Sequence, residues 1–207
     1  MKVAINGFGR IGKNLTRQLI EADCLSGGDG SLELVAVNDL GDVKANAHLL
    51  KFDSIHGKIG NAISTVGNNI IVDGSSISYI SERDPNKLPW KDHEIDVVFE
   101  CTGLFTSKEA ASAHLNAGAK RVIVSAPCTD ADKTIVFGIN HHKLELNDRV
   151  ISNASCTTNC LAPIADVIHK NFIIKSGLIN TVHAATNDQS LLDVAHSDLY
   201  RARAASA

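Results

Sequence analysis

Apolar and polar residues alternate along the chain with two different periods, which predict strands and helices in turn. Residues 2–6 form a short apolar run typical of a buried strand, and residues 11–22 carry apolar side chains at a helical spacing. Residues 32–37 then predict a second strand, which ends at Asn38 and Asp39. The first 39 residues therefore predict one complete strand–helix–strand unit.

The same alternation continues to the end of the chain. Further strands are predicted at residues 70–72, 77–80, 95–100, 121–125, 150–152 and 178–182, and further helices at 43–50, 107–117 and 156–172. We interpret the strands at 70–72 and 77–80 as an excursion from the main sheet. Continuous Val and Ile runs separated by helices are typical of a parallel sheet covered on both faces. The sequence thus predicts an α/β fold with a doubly wound parallel sheet over residues 1–152, and a second domain over residues 153–207.

Composition excludes several classes of protein. The 207 residues carry 20 Lys and Arg against 23 Asp and Glu, a net charge of −3. Without a basic block, we expect neither nucleic acid nor an anionic membrane as a partner. No apolar run reaches the roughly 18 residues that span a bilayer, and the opening lacks a secretory signal, so we expect a cytoplasmic protein. The 5 cysteines include no Cys-x-x-Cys pair, so neither a disulfide framework nor a metal site is expected.

A glycine-rich turn between the first strand and the first helix has the pattern that binds dinucleotides. The turn reads Gly7-Phe8-Gly9-Arg10-Ile11-Gly12, which matches G-x-G-x-x-G in the required strand–turn–helix context. Asp39, at the end of the second strand, can accept hydrogen bonds from ribose hydroxyls and would repel a 2′-phosphate, which favours NAD over NADP. The alternative is that the glycines form only a tight turn and Asp39 only a helix cap.

A second candidate site lies where the strand at 150–152 meets the following helix. Ser155 is a good helix N-cap residue, which places Cys156 in the first turn, where the helix dipole and unpaired N–H groups stabilise a thiolate. Cys160 lies one turn deeper, where packing is the expected role. His183 follows the predicted strand 178–182 and would serve as the proton acceptor if the two elements adjoin. Spacing alone leaves that pairing open.

These strings resemble one known family. The run Ala154-Ser155-Cys156-Thr157-Thr158-Asn159-Cys160-Leu161-Ala162-Pro163 resembles the active-site signature of phosphorylating glyceraldehyde-3-phosphate dehydrogenases, and residues 2–12 resemble that family's opening strand and dinucleotide turn. The resemblance extends over the whole chain. It implies a Rossmann-type NAD-binding domain followed by the first part of an α+β catalytic domain.

The resemblance also implies an activity. Cys156 would attack the aldehyde of glyceraldehyde 3-phosphate while His183 takes the hydroxyl proton, and NAD would accept the hydride. Inorganic phosphate would then cleave the thioester to give 1,3-bisphosphoglycerate, as in glycolysis. The implied cofactor-binding residues are Gly7, Phe8, Gly9, Arg10, Ile11, Gly12, Asn38, Asp39, Arg83, Thr102, Gly103 and Ser125. The implied phosphate-binding residues are Ser155, Thr157 and Arg201 for the attacking phosphate and Thr186 for the substrate phosphate.

The family's chains continue well past Ala207, so we expect either a piece of a longer protein or a truncated product. For the full-length protein, the resemblance implies a homotetramer. Two alternatives stay open from the sequence. One is a related dehydrogenase that acts on erythrose 4-phosphate or another aldehyde. The other is an inactive nucleotide-binding module, which would bind NAD without transferring a hydride.

Overall fold

The structure is a computed structural model and describes residues 1–25, 32–186, 189, 192, 195–200 and 202–203. The chain divides into two compact units, Met1–Val167 and Ile168–Ala207. The predicted domain boundary after residue 152 remains a prediction.

The four described α-helices begin and end within one residue of the positions that the sequence predicts. The helices are α1 (Arg10–Glu21), α2 (Val43–Lys51), α3 (Lys108–Asn116) and α4 (Cys156–Phe172). The strands are β1 (Lys2–Asn6), β2 (Glu33–Asn38), β3 (Phe52–Asp53), β4 (Gly57–Lys58), β5 (Ile63–Val66), β6 (Asn69–Val72), β7 (Ser75–Ile80), β8 (Val97–Glu100), β9 (Arg121–Val124), β10 (Lys133–Thr134) and β11 (Val150–Ser152). None of the described helices is long and apolar enough to span a bilayer.

The main sheet of the first unit has nine strands among its described residues, in the order β10-β11-β9-β8-β1-β2-β7-β6-β5. Six neighbouring strands of this sheet pair in parallel, in the spatial order β7-β2-β1-β8-β9-β11. Numbered along the chain, these six strands have the order 3-2-1-4-5-6 of a Rossmann fold. The predicted doubly wound α/β class is therefore confirmed.

The strands at 70–72 and 77–80 are not an excursion from the main sheet, and that interpretation was wrong. β7 pairs in parallel with β2, and β6 and β5 extend the same sheet as antiparallel strands. The reason is burial: Ile70, Val72, Ile77 and Tyr79 all join the core that also contains Val3. These alternating apolar residues need the same covering layer as the central strands.

The central strand β1 shows why the sheet is covered on both sides. Val3 and Ile5 belong to one buried cluster, whereas Ala4 between them belongs to a second cluster with Trp90 and Val98. Because successive strand residues point to opposite faces, the two clusters lie on opposite sides of the sheet. Both faces being apolar explains why β1 is a continuous hydrophobic run.

In the second unit, α4 ends at Phe172, and the described residues 173–186 contain neither helix nor strand. The predicted strand at 178–182 is therefore wrong for this structure. An extended segment needs a neighbouring strand to pair its backbone N–H and C=O groups, and no described residue of this unit forms one. Leu178 and Val182 are consequently exposed.

Candidate functional site

The glycine-rich turn lies at the point where the strand order reverses. Gly7 follows β1, and Cys101 and Thr102 follow the neighbouring strand β8. Gly7 has φ +92°, and a Cβ there would lie 2.6 Å from the Thr102 backbone nitrogen. Only glycine permits this approach. In doubly wound sheets, ligands bind in the crevice at such a reversal.

The other two glycines of the turn have different roles. A Cβ on Gly12 would collide with the carbonyl oxygen of Gly7, so the packing of α1 against the turn requires glycine. A Cβ on Gly9 would meet nothing within 4 Å. Gly9 is also the N-cap of α1, and among the described residues no side chain caps this helix end. The turn therefore leaves open space beside a helix N-terminus, which fits the pyrophosphate of NAD.

Arg10 is fixed at the edge of this space by a carboxylate that the sequence did not predict. Its guanidinium donates a hydrogen bond to Asp53, whose side chain is 8% exposed. Hydrogen bonds from the backbone N–H groups of His56 and Ile55, followed by the charge of Arg10, lower the pKa of Asp53 to about 2. A cleft of about 220 Å³ lies beside these residues and includes Gly9.

Asp39 lies directly after β2 and contacts the glycine-rich turn. Its Oδ2 accepts a hydrogen bond from the backbone N–H of Phe8 at 2.8 Å, and its Oδ1 accepts one from Gly41 at 2.8 Å. The carboxylate stays partly exposed. Asn38 is buried, and its amide nitrogen donates to the side-chain oxygen of Asn6 at 2.7 Å and to the carbonyl oxygen of Glu82 at 2.9 Å.

A buried polar network under the crevice was missed by the sequence analysis. Glu100 is 1% exposed and accepts hydrogen bonds from Thr102 N–H at 2.7 Å, from Asn6 Nδ2 at 2.6 Å and from His114 Nε2 at 2.8 Å. The indole N–H of Trp90 donates to His114 Nδ1 at 3.0 Å, so the proton of the neutral imidazole lies on Nε2. The available signal was that Asn6, like Glu100, is a polar residue ending an apolar strand.

The predicted nicotinamide-side residues lie at the ends of β8 and β9. The Thr102 hydroxyl donates to Glu100 and accepts from Leu104 N–H at 3.0 Å. Ser125 follows β9, and a hydrogen bond joins its side chain to the Cys101 thiol. Burial raises the pKa of Cys101 to about 12, so this thiol is not a nucleophile at neutral pH.

Two further predicted cofactor residues lie in turns. Gly103 lies beside Thr102 and has φ +74°. Arg83 is exposed in the turn after β7. Their contacts to the cofactor remain predictions.

Helix α4 begins at Cys156, as the sequence predicts. The Ser155 hydroxyl oxygen accepts a hydrogen bond from Thr158 N–H at 3.0 Å, which is the contact of a helix N-cap. Cys156 is exposed at this helix end, and Thr157 is partly exposed beside it. Cys160 is also exposed, so the packing role expected for it is not found in the described structure.

A cleft of about 350 Å³ lies beside the start of α4 within the first unit. Six hydroxyl side chains from the surrounding strand ends, loops and the first turn of α4 line it. They are Thr106, Thr129, Thr134, Ser152, Ser155 and Thr158. Neutral hydroxyls can donate to the oxygens of a phosphate or a sugar.

The remaining predicted site residues fall in the second unit. A hydrogen bond of 2.7 Å joins His183 Nδ1 to the carbonyl oxygen of Ala184. Because a carbonyl only accepts, Nδ1 carries a proton. Thr186 N–H donates to Gln189 Oε1 at 3.1 Å. Arg201 lies outside the described residues. Cys156 and His183 belong to different units, and their pairing remains a prediction.

No group of three or more His, Cys, Asp or Glu side chains that could hold a metal occurs among the described residues. What the first unit does contain is a six-strand Rossmann order, a glycine-rich turn at its reversal point and an exposed thiol at a helix N-terminus. These features define a nucleotide-binding domain of the dehydrogenase class.

Comparison with known proteins gives the family. The sequence model "Glyceraldehyde 3-phosphate dehydrogenase, NAD binding domain" matches residues 1–108, and the model of the C-terminal domain of the same enzyme matches residues 155–207. The chain belongs to the glyceraldehyde-3-phosphate dehydrogenase family, and its first domain is of the NAD-binding type.

Three curated relatives illustrate the similarity. The chain is 53% identical over 208 residues to glyceraldehyde-3-phosphate dehydrogenase of Zymomonas mobilis, and 52% identical over 205 residues to that of Xanthobacter flavus. It is 53% identical over 208 residues to glyceraldehyde-3-phosphate dehydrogenase 2 of Trichormus variabilis. In each comparison 99% or more of this chain aligns, but it spans only 60% of the relative's length.

Proposed function

We propose that the protein carrying this sequence oxidises glyceraldehyde 3-phosphate to 1,3-bisphosphoglycerate, with NAD as hydride acceptor and inorganic phosphate as acyl acceptor. The observation that carries the proposal is the exposed Cys156 thiol at the capped N-terminus of α4, in the same unit as the dinucleotide turn. A thiol is the nucleophile that this chemistry requires, because its acyl derivative is a reactive thioester.

In the first step, the Cys156 thiolate adds to the aldehyde carbon, and the resulting oxyanion takes up a proton from water to give a hemithioacetal. The helix dipole and the backbone N–H groups of the first turn of α4 stabilise the thiolate before attack. The same N–H groups are suited to stabilise the oxyanion that develops on the substrate.

His183 takes the proton of the hemithioacetal hydroxyl. Because Nδ1–H donates to Ala184, Nε2 is the ring nitrogen that would accept the proton. A histidine beside a cysteine nucleophile has the appropriate basicity for this step at neutral pH.

NAD would be held by the glycine-rich turn, with its pyrophosphate in the open space at Gly9 and its adenosine ribose at Asp39. Thr102 and Ser125 would line the nicotinamide end, Asn38 the ribose side, and Arg83 the adenine side. When bound, NAD supplies the hydride acceptor that converts the hemithioacetal into a thioester. The chain's own contribution is to orient the bound dinucleotide against the Cys156 sulfur.

An oxygen of inorganic phosphate then attacks the thioester carbon, the carbon–sulfur bond breaks, and the thiolate of Cys156 is regenerated. Ser155, Thr157 and Arg201 are proposed to bind this phosphate, and Thr186 the phosphate of the substrate. Hydroxyls together with one guanidinium are a suitable donor set for a phosphate dianion.

Initial rates of NADH formation with glyceraldehyde 3-phosphate, NAD and phosphate test this proposal in the protein carrying this sequence. Cys156→Ser should abolish turnover and leave the dissociation constant of NADH nearly unchanged. Equal loss of both would remove Cys156 from the nucleophile role. Faster turnover with erythrose 4-phosphate would favour the related dehydrogenase, and NADH binding without turnover would favour the nucleotide-binding module.

The resemblance extends to assembly and location. We propose a homotetramer in the cytoplasm, the compartment in which glycolysis supplies the substrate. Sedimentation of the protein carrying this sequence tests the oligomeric state directly.

A further inference from the structure

A closed ring of polar contacts connects the glycine-rich turn to Asp39. Phe8 N–H donates to Asp39 Oδ2 at 2.8 Å, and the carbonyl oxygen of the same Phe8 accepts a hydrogen bond from the Lys13 ammonium. Lys13 Nζ also donates to Asn46 Oδ1 at 2.6 Å, and Asn46 Nδ2 donates to Asp39 Oδ1 at 3.3 Å. The ring therefore joins the turn, α1, α2 and the end of β2 through four residues.

The positive charge of Lys13 is buried within this ring and is stabilised by the polar groups of the ring. Lys13 is 8% exposed, and burial lowers the pKa of its ammonium while Asp39 acts in the opposite direction. A buried charge is tolerated only where hydrogen bonds and an opposite charge replace its hydration. Phe8, Asn46 and Asp39 supply these partners, so Lys13 holds the turn and α2 together instead of facing solvent.

Tyr79 fixes the orientation of the Asn46 amide. The Tyr79 hydroxyl donates to the carbonyl oxygen of Gly41 at 2.7 Å and accepts from Asn46 Nδ2 at 2.6 Å. Burial raises the pKa of Tyr79 to about 12, so its hydroxyl keeps its proton. Since Lys13 can only donate, the oxygen of Asn46 must face Lys13 and its nitrogen must face Tyr79 and Asp39.

We propose that Asn46, held by Lys13 and Tyr79, is a positioning residue that fixes the Asp39 carboxylate and thereby sets the preference for NAD over NADP. The proposal rests on the proposed function of Asp39 as the ribose-binding carboxylate. Held from Phe8, Gly41 and Asn46, the carboxylate cannot rotate away from the ribose, so a 2′-phosphate meets its full negative charge. Without Asn46 the carboxylate gains freedom to turn aside.

Dissociation constants of NADH and NADPH, measured by titration calorimetry on the protein carrying this sequence, test the proposal. For Asn46→Ala we expect NADH to bind about fivefold more weakly, as loss of one hydrogen bond to a carboxylate predicts, while NADPH binding changes little. The preference for NADH should therefore fall about fivefold. In an Asp39→Asn background the same substitution should leave the preference unchanged, because Asn46 acts through Asp39.

A matched control and a milder variant accompany this test. Asn61 Nδ2 donates to Asp73 Oδ2 at 2.5 Å, so Asn61→Ala removes the same kind of amide–carboxylate bond beside the hairpin of β5 and β6, and should leave the preference unchanged. Tyr79→Phe keeps the aromatic ring in the core, loosens Asn46, and should lower the preference in the same direction. It provides the test if Asn46→Ala does not fold.

The outcomes separate the two proposals. Equal weakening of NADH and NADPH by Asn46→Ala, or a change of preference that persists in the Asp39→Asn background, overturns the positioning role of Asn46 alone. An Asp39→Asn variant with an unaltered preference removes Asp39 from the ribose site, and the positioning role with it.

Discussion

At the scale of single residues, the glycine-rich turn separates what the fold requires from what a ligand requires. Gly7 has a positive φ and leaves no room for a Cβ, whereas Gly9 has φ −80° and open space around it. Nothing in the packing of the described chain demands glycine at position 9. A pyrophosphate bound close to the backbone at this position would require glycine there.

This difference gives a paired prediction. Gly7→Ala should lower the free energy of unfolding by at least about 2 kcal/mol, because the methyl group meets the Thr102 backbone in a strained conformation. Gly9→Ala should change it by less than about 1 kcal/mol, yet weaken NADH binding about tenfold. Denaturant titration and calorimetry measure the two quantities. Unaltered NADH affinity in Gly9→Ala would contradict the assignment of this space to the cofactor.

Asp132 provides a prediction about pH. Hydrogen bonds from Lys108 and then from the backbone N–H groups of Val150 and Arg149, opposed by burial, lower the pKa of Asp132 from 3.8 to about 2. A lowered pKa stabilises the fold above pH 3.8, and this contribution is lost as the pH falls through about 2. Asp132→Asn should therefore cost about 1 kcal/mol at pH 7, and the difference should shrink steadily as the pH falls towards 2.

The matched control for Asp132 is Asp130→Asn, an exposed neighbour on the same turn. It should leave the free energy of unfolding within about 0.5 kcal/mol of the parent at every pH. A cost for Asp132→Asn that stays constant between pH 7 and pH 2 would show that the carboxylate charge is not the stabilising feature.

Single residues also mark the limit of sequence reasoning about the site. Asp39 and Cys156 were predicted because each lies at a recognisable position, the end of a strand and the start of a helix. Lys13, Asn46 and Tyr79 were not, because 33 residues separate each of the contacting pairs. A lysine in an amphipathic helix predicts a solvated charge, and only the folded arrangement brings the partners that allow its burial.

At the scale of elements, the predicted site residues are concentrated where strands end and helices begin. The first turn of α4 carries Cys156, and its cap is the Ser155 hydroxyl. A capped helix end keeps its N–H groups aligned, which is the condition for stabilising an anion there.

Removing the cap should therefore affect both stability and reactivity. Ser155→Ala should lower the free energy of unfolding by about 1 kcal/mol. It should also slow the alkylation of Cys156 by iodoacetamide. Peptide mass spectrometry measures this rate, with the alkylation of Cys160 as the internal reference. Ser107 caps α3 by accepting from Ala110 N–H, so Ser107→Ala should cost the same stability and leave Cys156 alkylation unchanged. Equal alkylation rates in the two variants would show that the Ser155 cap does not affect the reactivity of the Cys156 thiol.

The buried network at the end of β8 is a second prediction at this scale. Glu100→Gln places a donor among the N–H groups that now converge on a carboxylate, and should cost about 2 to 3 kcal/mol in denaturant titration. Glu145→Gln removes an exposed carboxylate that pairs with Lys133 at 3.4 Å, and should cost less than about 0.5 kcal/mol. Similar costs for the two variants would contradict a structural role for the buried charge.

Elements differ in how well the sequence predicts them. Each predicted helix, such as α2 at Val43–Lys51, is found within one residue of its predicted bounds, because helical periodicity and caps are local signals. The strand predicted at 178–182 is absent because strand formation depends on a neighbour, and the described part of the second unit has none. Assigning β5 to β7 to the main sheet likewise required knowing their partners.

At the scale of the whole molecule, the first unit contains all six strands of the Rossmann strand order. The chain spans 60% of the length of its relatives. The fold class and family follow from the sequence because strand order is implied by a repeated strand–helix alternation and a specific motif. The pairing of Cys156 with His183 remains a prediction, because periodicity and motifs do not determine it.

The proposed mechanism places the acyl group on Cys156 during oxidation. The direct measurement is peptide mass spectrometry after the protein carrying this sequence is mixed with glyceraldehyde 3-phosphate and NAD in the absence of phosphate. A phosphoglyceroyl adduct should form on Cys156 and should disappear when inorganic phosphate is added. NADH formed with no adduct on Cys156, or an adduct confined to another cysteine, would contradict it.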